Sequence, residues 1–159
     1  MTNPNLDKKQ ILDFLGKHQL MALATFGNHP WIASVYFSFD ENLNLYFLSS
    51  PDTLHARIIE CNPKVAVAIA DSHQTPNERK RGLQLWGVAT KINNLNKFRH
   101  ALSQWKSALS INDPELTFQN IQKGIISGQM YQVTPKKIKL FDQELFADTP
   151  DGEEPTLEL

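Results

Sequence analysis

The chain has 159 residues, 41% of them apolar and 21% charged, which suits one compact domain with a sizeable core and leaves little room for a second. A formal net charge of -1 supplies no overall positive field for nucleic acid or an anionic membrane, so neither partner is expected and a small-molecule ligand is. Up to Lys9 there is no apolar run of the secretory type, which points to a cytoplasmic protein, and Cys61 alone can build neither an internal disulfide nor a cysteine-rich zinc site.

Asp7 to Lys17 reads as a short amphipathic helix, with Ile11, Leu12 and Leu15 on one side and Gly16 near its end. His18 to Phe39 holds no Asp, Glu, Lys or Arg, but Gly27-Asn28-His29-Pro30 would sit at the centre of any membrane span. Two strands joined by a turn, Leu20 to Phe26 and Trp31 to Phe39, explain the segment better. Further strands are expected at Asn44 to Ser49, Lys64 to Ala70, Leu83 to Ile92, Met130 to Thr134 and Lys137 to Phe141. Asp40-Glu41-Asn42 and Thr134-Pro135-Lys136 supply turns, and short strands punctuated in this way predict an antiparallel sandwich or barrel.

Helices are expected from Pro51 to Cys61 and from Leu95 to Leu109, where Leu95, Phe98, Leu102, Trp105 and Leu109 form one apolar face suited to the core or to a subunit contact. Core packing is also the expectation for Trp86, with a place beside a bound ligand or across a dimer interface as the alternative for it and Trp105. Asp113-Pro114 starts another helix, which Gly124 to Gly128 should end. Beyond Phe146 the chain carries acidic residues, two prolines and a glycine but no base, so residues 1–146 form the domain and residues 147–159 an acidic, flexible tail unless another subunit holds it.

The segment richest in chemistry follows the strand that ends at Ser49. Ser50 suits an N-cap, Pro51 the first helical position, and Thr53 then falls in the first turn, where free N–H groups and the helix dipole favour an anion. Ser49, Ser50 and Thr53 add hydroxyls, and His55 and Arg57 could add N–H donors and positive charge, which together suit a phosphate. The plainer alternative is that Ser50 and Thr53 only cap the helix while His55 and Arg57 face water.

The order Ser49-Ser50, Thr53-x-His55, Ile58-Ile59, Asn62-Pro63 and Val65 to Ile69 resembles the pyridoxamine-phosphate-oxidase-like family of FMN-binding split β-barrels. In that family small polar residues lead into a Ser-x-Lys pair, a short helix, Asn-Pro and an apolar strand. Leu83-Gln84-Leu85-Trp86-Gly87 is similar to the family's strand ending in glycine. Thr53-Leu54-His55-Ala56 and Arg81-Gly82-Leu83-Gln84 are closest to a small bacterial subgroup of it, so His55 at the lysine position looks like a subgroup trait.

The resemblance implies a mainly β (α+β) antiparallel split β-barrel with peripheral helices, a homodimer, and FMN at the subunit interface. It places Thr53 and His55 at the FMN phosphate, with His55 the nearest charged partner, Ser34 and Val35 on a strand running past the flavin ring, and Arg81 near the FMN, the alternatives being an ordinary hairpin residue for Ser34 and a solvated charged loop, Asn77 to Arg81, for Arg81. Gln84, polar within a strand, would need a buried partner if its face is covered. Ser34, Val35, Ser49, Ser50, Thr53, His55, Arg81 and Gln84 are therefore the candidate cofactor residues, and no catalytic residue is assigned.

The implied activity is FMN-dependent oxidoreduction of a small-molecule substrate, with NADH or NADPH as candidate electron donors. A non-catalytic flavin-binding or haem-binding module is the alternative. Oxidation of pyridoxamine phosphate itself is not expected, because the family enzyme's C-terminal Arg-x-His motif is missing and residues 141–159 contain neither arginine nor histidine. The remaining histidines are scattered, so no metal site is expected.

Overall fold

A computed structural model describes residues 5–148 and 155–159. Its strands are β1 (Leu20–Phe26), β2 (Pro30–Phe39), β3 (Leu45–Ser49), β4 (Lys64–Ala70), β5 (Arg81–Lys91), β6 (Gln129–Asp142) and β7 (Thr156–Glu158). The helices are α1 (Lys8–Leu15), α2 (Leu54–Cys61), α3 (Leu95–Ala108) and α4 (Phe118–Gln122). Alternation decides which way each strand faces: in β4, Val65, Val67 and Ile69 turn inward while Lys64, Ala66, Ala68 and Ala70 turn outward.

The strands form one antiparallel sheet in the order β3-β2-β1-β4-β5-β6-β7. β3 also pairs with β6, which curls the sheet into a split barrel. Met21, Leu23, Phe37, Phe47, Val67, Leu83 and Tyr131 fill its interior. No helix among the described residues is long and apolar enough to cross a membrane.

The two closing strands expected around Pro135 are a single strand, β6, which bends rather than breaks. Residues 129–133 pair with β3, residues 137–139 pair with β7, and β5 runs along the other edge throughout. At the bend Trp86 faces Lys137 and Gly87 faces Pro135, so Lys136 is left without an opposite residue. Pro135 has no N–H to give the ladder, and Gly87 has no Cβ to run into the Thr134 carbonyl.

The flexible tail expected over residues 147–159 needs correcting at its end. Thr156–Glu158 add β7 to the open edge of β6, with Glu158 2.7 Å from Lys137 Nζ and Leu157 packed on the core. An acidic segment has found a basic strand edge whose N–H and C=O groups were unpaired. Residues 149–154 of that expectation lie outside the described residues.

α1 and α2 sit at opposite ends of β1. Asp7 and Gln10 cap α1 reciprocally, and the helix buries Ile11, Phe14 and Leu15 before the chain enters β1 at Leu20. α2 buries Ala56 and Ile59, and the Asn62 side chain that follows it donates to the Phe26 carbonyl at the far end of β1 (3.0 Å). α3 and α4 build a second core outside the barrel from Phe98, Leu102, Trp105, Ile121 and Met130, with Tyr46 and Leu48 of β3 against it. The apolar face expected on α3 is thus core, although Leu95 at its start is exposed. α4 begins at Phe118, later than the Asp113-Pro114 start expected, because Thr117 provides the cap by accepting from Asn120 N–H (3.1 Å).

Gly87→Ala is expected to destabilise the fold by about 1–3 kcal/mol or more, because its Cβ meets backbone that cannot move aside. Gly82→Ala should cost less, since its Cβ meets only the Phe141 ring, which can turn away. Urea denaturation of both variants checks this; equal midpoints would deny the bend its dependence on Gly87.

Candidate functional site

β3 pairs with β2 only over Leu45–Phe47, so Ser49 runs on beyond the last paired residue of β2 and opens one side of the barrel. The chain then turns tightly, and the Ser50 carbonyl accepts both the Thr53 N–H (3.2 Å) and the Thr53 hydroxyl (2.8 Å). That turn takes up Pro51 and Asp52, so the helix starts at Leu54 rather than at Pro51, and the N-cap is Thr53 instead of Ser50. Its hydroxyl is engaged backwards and makes no cap bond. Asp7, Asn94 and Thr117 do cap α1, α3 and α4, which leaves α2 as the helix with an uncapped start among those described.

Around that start the hydroxyls gather. Ser49 Oγ lies 2.7 Å from His55 Nε2 and 3.2 Å from Thr53 Oγ1, and Ser50 Oγ lies 2.8 Å from Ser127 Oγ. Ser127 was not singled out from the sequence, since only the fold brings it to Ser50. Behind them stands an aromatic wall: the His55 ring is 6.5 Å from Phe47, which stacks on Tyr131 at 5.0 Å. Tyr131 is buried, its hydroxyl has no hydrogen-bond partner among the described residues, and burial, with help from Glu60, pushes its pKa up to about 12. Glu60 of α2 pairs with Lys91 of β5 and ties the helix to the barrel.

The expectation of a positive charge on His55 is corrected here. The side chain is buried, and burial lowers its pKa below the ordinary 6.5, so at neutral pH it is an uncharged imidazole that fixes two hydroxyls. Arg57, on the exposed side of α2, keeps its charge in water.

The remaining candidates lie elsewhere on the sheet. Ser34 is exposed on the outer face of β2, while Val35 turns its side chain into the barrel and could meet a ligand only through its backbone. Gln84 is exposed, so the argument that it needs a buried partner lapses. Ser34 and Gln84 nevertheless share one row of the outer face, Ser34-Ala22-Ala68-Gln84, spanning roughly 14 Å at the usual strand spacing. The next row is Ile32-Ala24-Ala66-Trp86. Trp86 is on this outer face and 46% exposed, against the expectation of core, whereas Trp105 is buried and donates to the Tyr36 carbonyl (3.0 Å).

Arg81 is not brought to Ser49 and Thr53 within one chain. It opens β5, while Ser49 pairs with Gln129, whose side chain donates to Ile92 beyond the other end of that strand (3.1 Å). The separation along β5 is roughly 30 Å. No cluster of metal-ligating side chains occurs among the described residues.

The buried imidazole has a consequence for stability. Between its folded-state pKa and 6.5 the unfolded chain binds a proton at His55 that the folded chain refuses. Stability from the neutral form is therefore complete above 6.5 and is lost as pH falls through the folded-state value. An NMR titration should find the His55 midpoint below 6.5; a midpoint above it would restore the charged histidine.

The same fold occurs in solved structures. One is a conserved hypothetical protein from Mycobacterium tuberculosis, with TM-score 0.73, 13% identity and 96% of each chain covered. Another is general stress protein 26 from Bacillus anthracis, with TM-score 0.61, 17% identity, and 96% of this chain and 98% of that one covered. HutZ, the haem storage protein from Vibrio cholerae, aligns with TM-score 0.64 and 18% identity over 84% of this chain and 92% of its own. At such identities the likeness is one of fold, and no curated protein matches the chain. The family model described as pyridoxamine 5'-phosphate oxidase matches residues 7–142, from the cap of α1 to the end of β6, and the chain belongs to that family.

Proposed function

We propose that the protein binds FMN and acts on a small molecule by hydride transfer through it, with NADH or NADPH as the electron donor to test first. The observation that carries this reading is the uncapped start of α2, where the first-turn N–H groups and the hydroxyls of Ser49 and Thr53 converge in a member of a family named for a phosphate-bearing substrate. Those groups would hold the phosphate. His55 would act as a positioning residue, keeping both hydroxyls in place without adding charge to the site. Ser34 and Gln84 are polar side chains on the sheet face we assign to the ring, and the alanines between them leave that face low. Bound FMN would supply the hydride chemistry itself.

The homodimer belongs to the same proposal. Leu20, Phe26, Ile32, Tyr36 and Trp86 are large apolar side chains exposed on one outer face, with Ile32 at 66% and Tyr36 at 58%, which is costly to leave in water. Ala22, Ala24, Ala66 and Ala68 between them would let a second copy approach closely. Light scattering should show a dimer, and Ala66→Arg should yield a monomer of unchanged circular dichroism. A wild-type monomer at micromolar concentration with FMN present would remove this part of the proposal.

Calorimetric titration with FMN and riboflavin tests the phosphate anchor. Thr53→Val keeps the branched shape and removes the hydroxyl, which would turn from the Ser50 carbonyl to the phosphate when FMN binds, so FMN affinity should fall about tenfold or more, as expected for a hydrogen bond to a charged group at about 1.5–3 kcal/mol. Riboflavin, which lacks the phosphate, should bind both proteins weakly and equally. Unaltered FMN affinity would refute the anchor. Visible spectra after incubation with FMN or haemin decide the remaining alternative, since haem binding without flavin binding would replace the oxidoreductase reading with that of a haem module.

A further inference from the structure

We infer that the cleft between α1 and the Arg81 end of the barrel is a second small-molecule site, suited to a zwitterion with an apolar side chain such as a free hydrophobic amino acid. It encloses about 350 Å³, enough for a molecule of that size, and lies at the opposite end of β5 from the proposed phosphate anchor. The inference therefore does not depend on the phosphate anchor at the start of α2.

Its floor is apolar and held in place. The rings of Phe14 and His18 stack with centroids 4.3 Å apart, and His18 Nδ1 is 2.8 Å from the Phe14 carbonyl oxygen. Leu140 and Leu145 extend this surface. The walls carry charges of both signs. Arg81 faces Asp142 across the β5–β6 ladder, yet no ion pair closes between them, because Asp142 Oδ1 accepts the Glu144 and Leu145 N–H groups (2.9 and 3.2 Å). Asp71 is held from its other side, its Oδ1 accepting the His73 N–H at 2.8 Å and lying 3.4 Å from His73 Nδ1.

Arg81 and Lys17 have no hydrogen-bonded or ion-paired side-chain partner among the described residues, so two cationic donors are open to a carboxylate. The second oxygens of Asp71 and Asp142 accept no hydrogen bond from described residues and are open to an ammonium group. A purely anionic ligand would bring its charge against three aspartates, Asp71, Asp142 and the Lys9-paired Asp13, and a purely cationic one against arginine and lysine. A zwitterion meets both signs, and its side chain covers the Phe14–His18 shelf.

The test is calorimetric titration of the full-length protein with L-phenylalanine, with phenylpropionate, which lacks the ammonium group, and with phenethylamine, which lacks the carboxylate. L-Phenylalanine should bind with a millimolar or lower dissociation constant and both analogues at least about tenfold more weakly, the equivalent of one lost charged hydrogen bond. Arg81→Gln and Lys17→Gln should each weaken L-phenylalanine by about the same factor, and Lys17→Gln, outside every proposed FMN contact, should leave melting and FMN titration unchanged. Absence of binding, equal binding of the three probes, or indifference to Arg81→Gln would overturn the site. Weaker FMN binding by Arg81→Gln would overturn it too, by assigning Arg81 to the cofactor across a subunit interface.

Discussion

The structure depends on the bend of β6 opposite Gly87. A straight strand of this length would pair with the same neighbours throughout, but β6 gives its first part to β3 and its later part to β7. The bend requires close approach of the Thr134 carbonyl to β5, and only a residue without a Cβ permits that. Closure of β6 on β3 then fixes where β3 ends, and hence where the Ser50–Thr53 turn and α2 begin. The placement of the candidate anchor is thus a consequence of barrel closure.

At the anchor, local hydrogen bonding has shifted the roles of the polar residues. Thr53 occupies the cap position but spends its hydroxyl on Ser50 and its neighbours, so helix donors remain that no side chain satisfies. His55 lies in the low-dielectric space beside Phe47, where a charged imidazole is penalised. An anion here would be met by dipoles and N–H groups more than by net charge, which fits a chain whose formal charge is only -1. Asp52, exposed in the same turn, works against any stronger attraction.

Much of this was legible in the sequence, for identifiable reasons. Alternation in Val65 to Ile69 and the apolar spacing of Phe98, Leu102 and Trp105 report periodicities that tertiary packing preserved. Gly27 to Pro30 forced a hairpin where composition alone suggested a long apolar run. What the sequence concealed depended on long-range pairing: β7 against β6, Ser127 beside Ser50, and the outward face of Trp86. A strand pattern gives the alternation of side chains but not which side will be covered, so it places Gln84 and Trp86 on one face without saying that this face is the exposed one. Local sequence leaves the charge of His55 open, because its burial comes from the Phe47–Tyr131 wall, assembled from distant parts of the chain.

The proposed FMN phosphate would sit at the open start of α2. The most direct measurement is the change in backbone amide resonances as FMN is added to isotope-labelled protein, with riboflavin added to a second sample. The account predicts that the Leu54, His55 and Ala56 amides shift with FMN and hardly at all with riboflavin. Identical responses to the two ligands at these amides, or an FMN-specific response confined to the Arg81 end of β5, would contradict it.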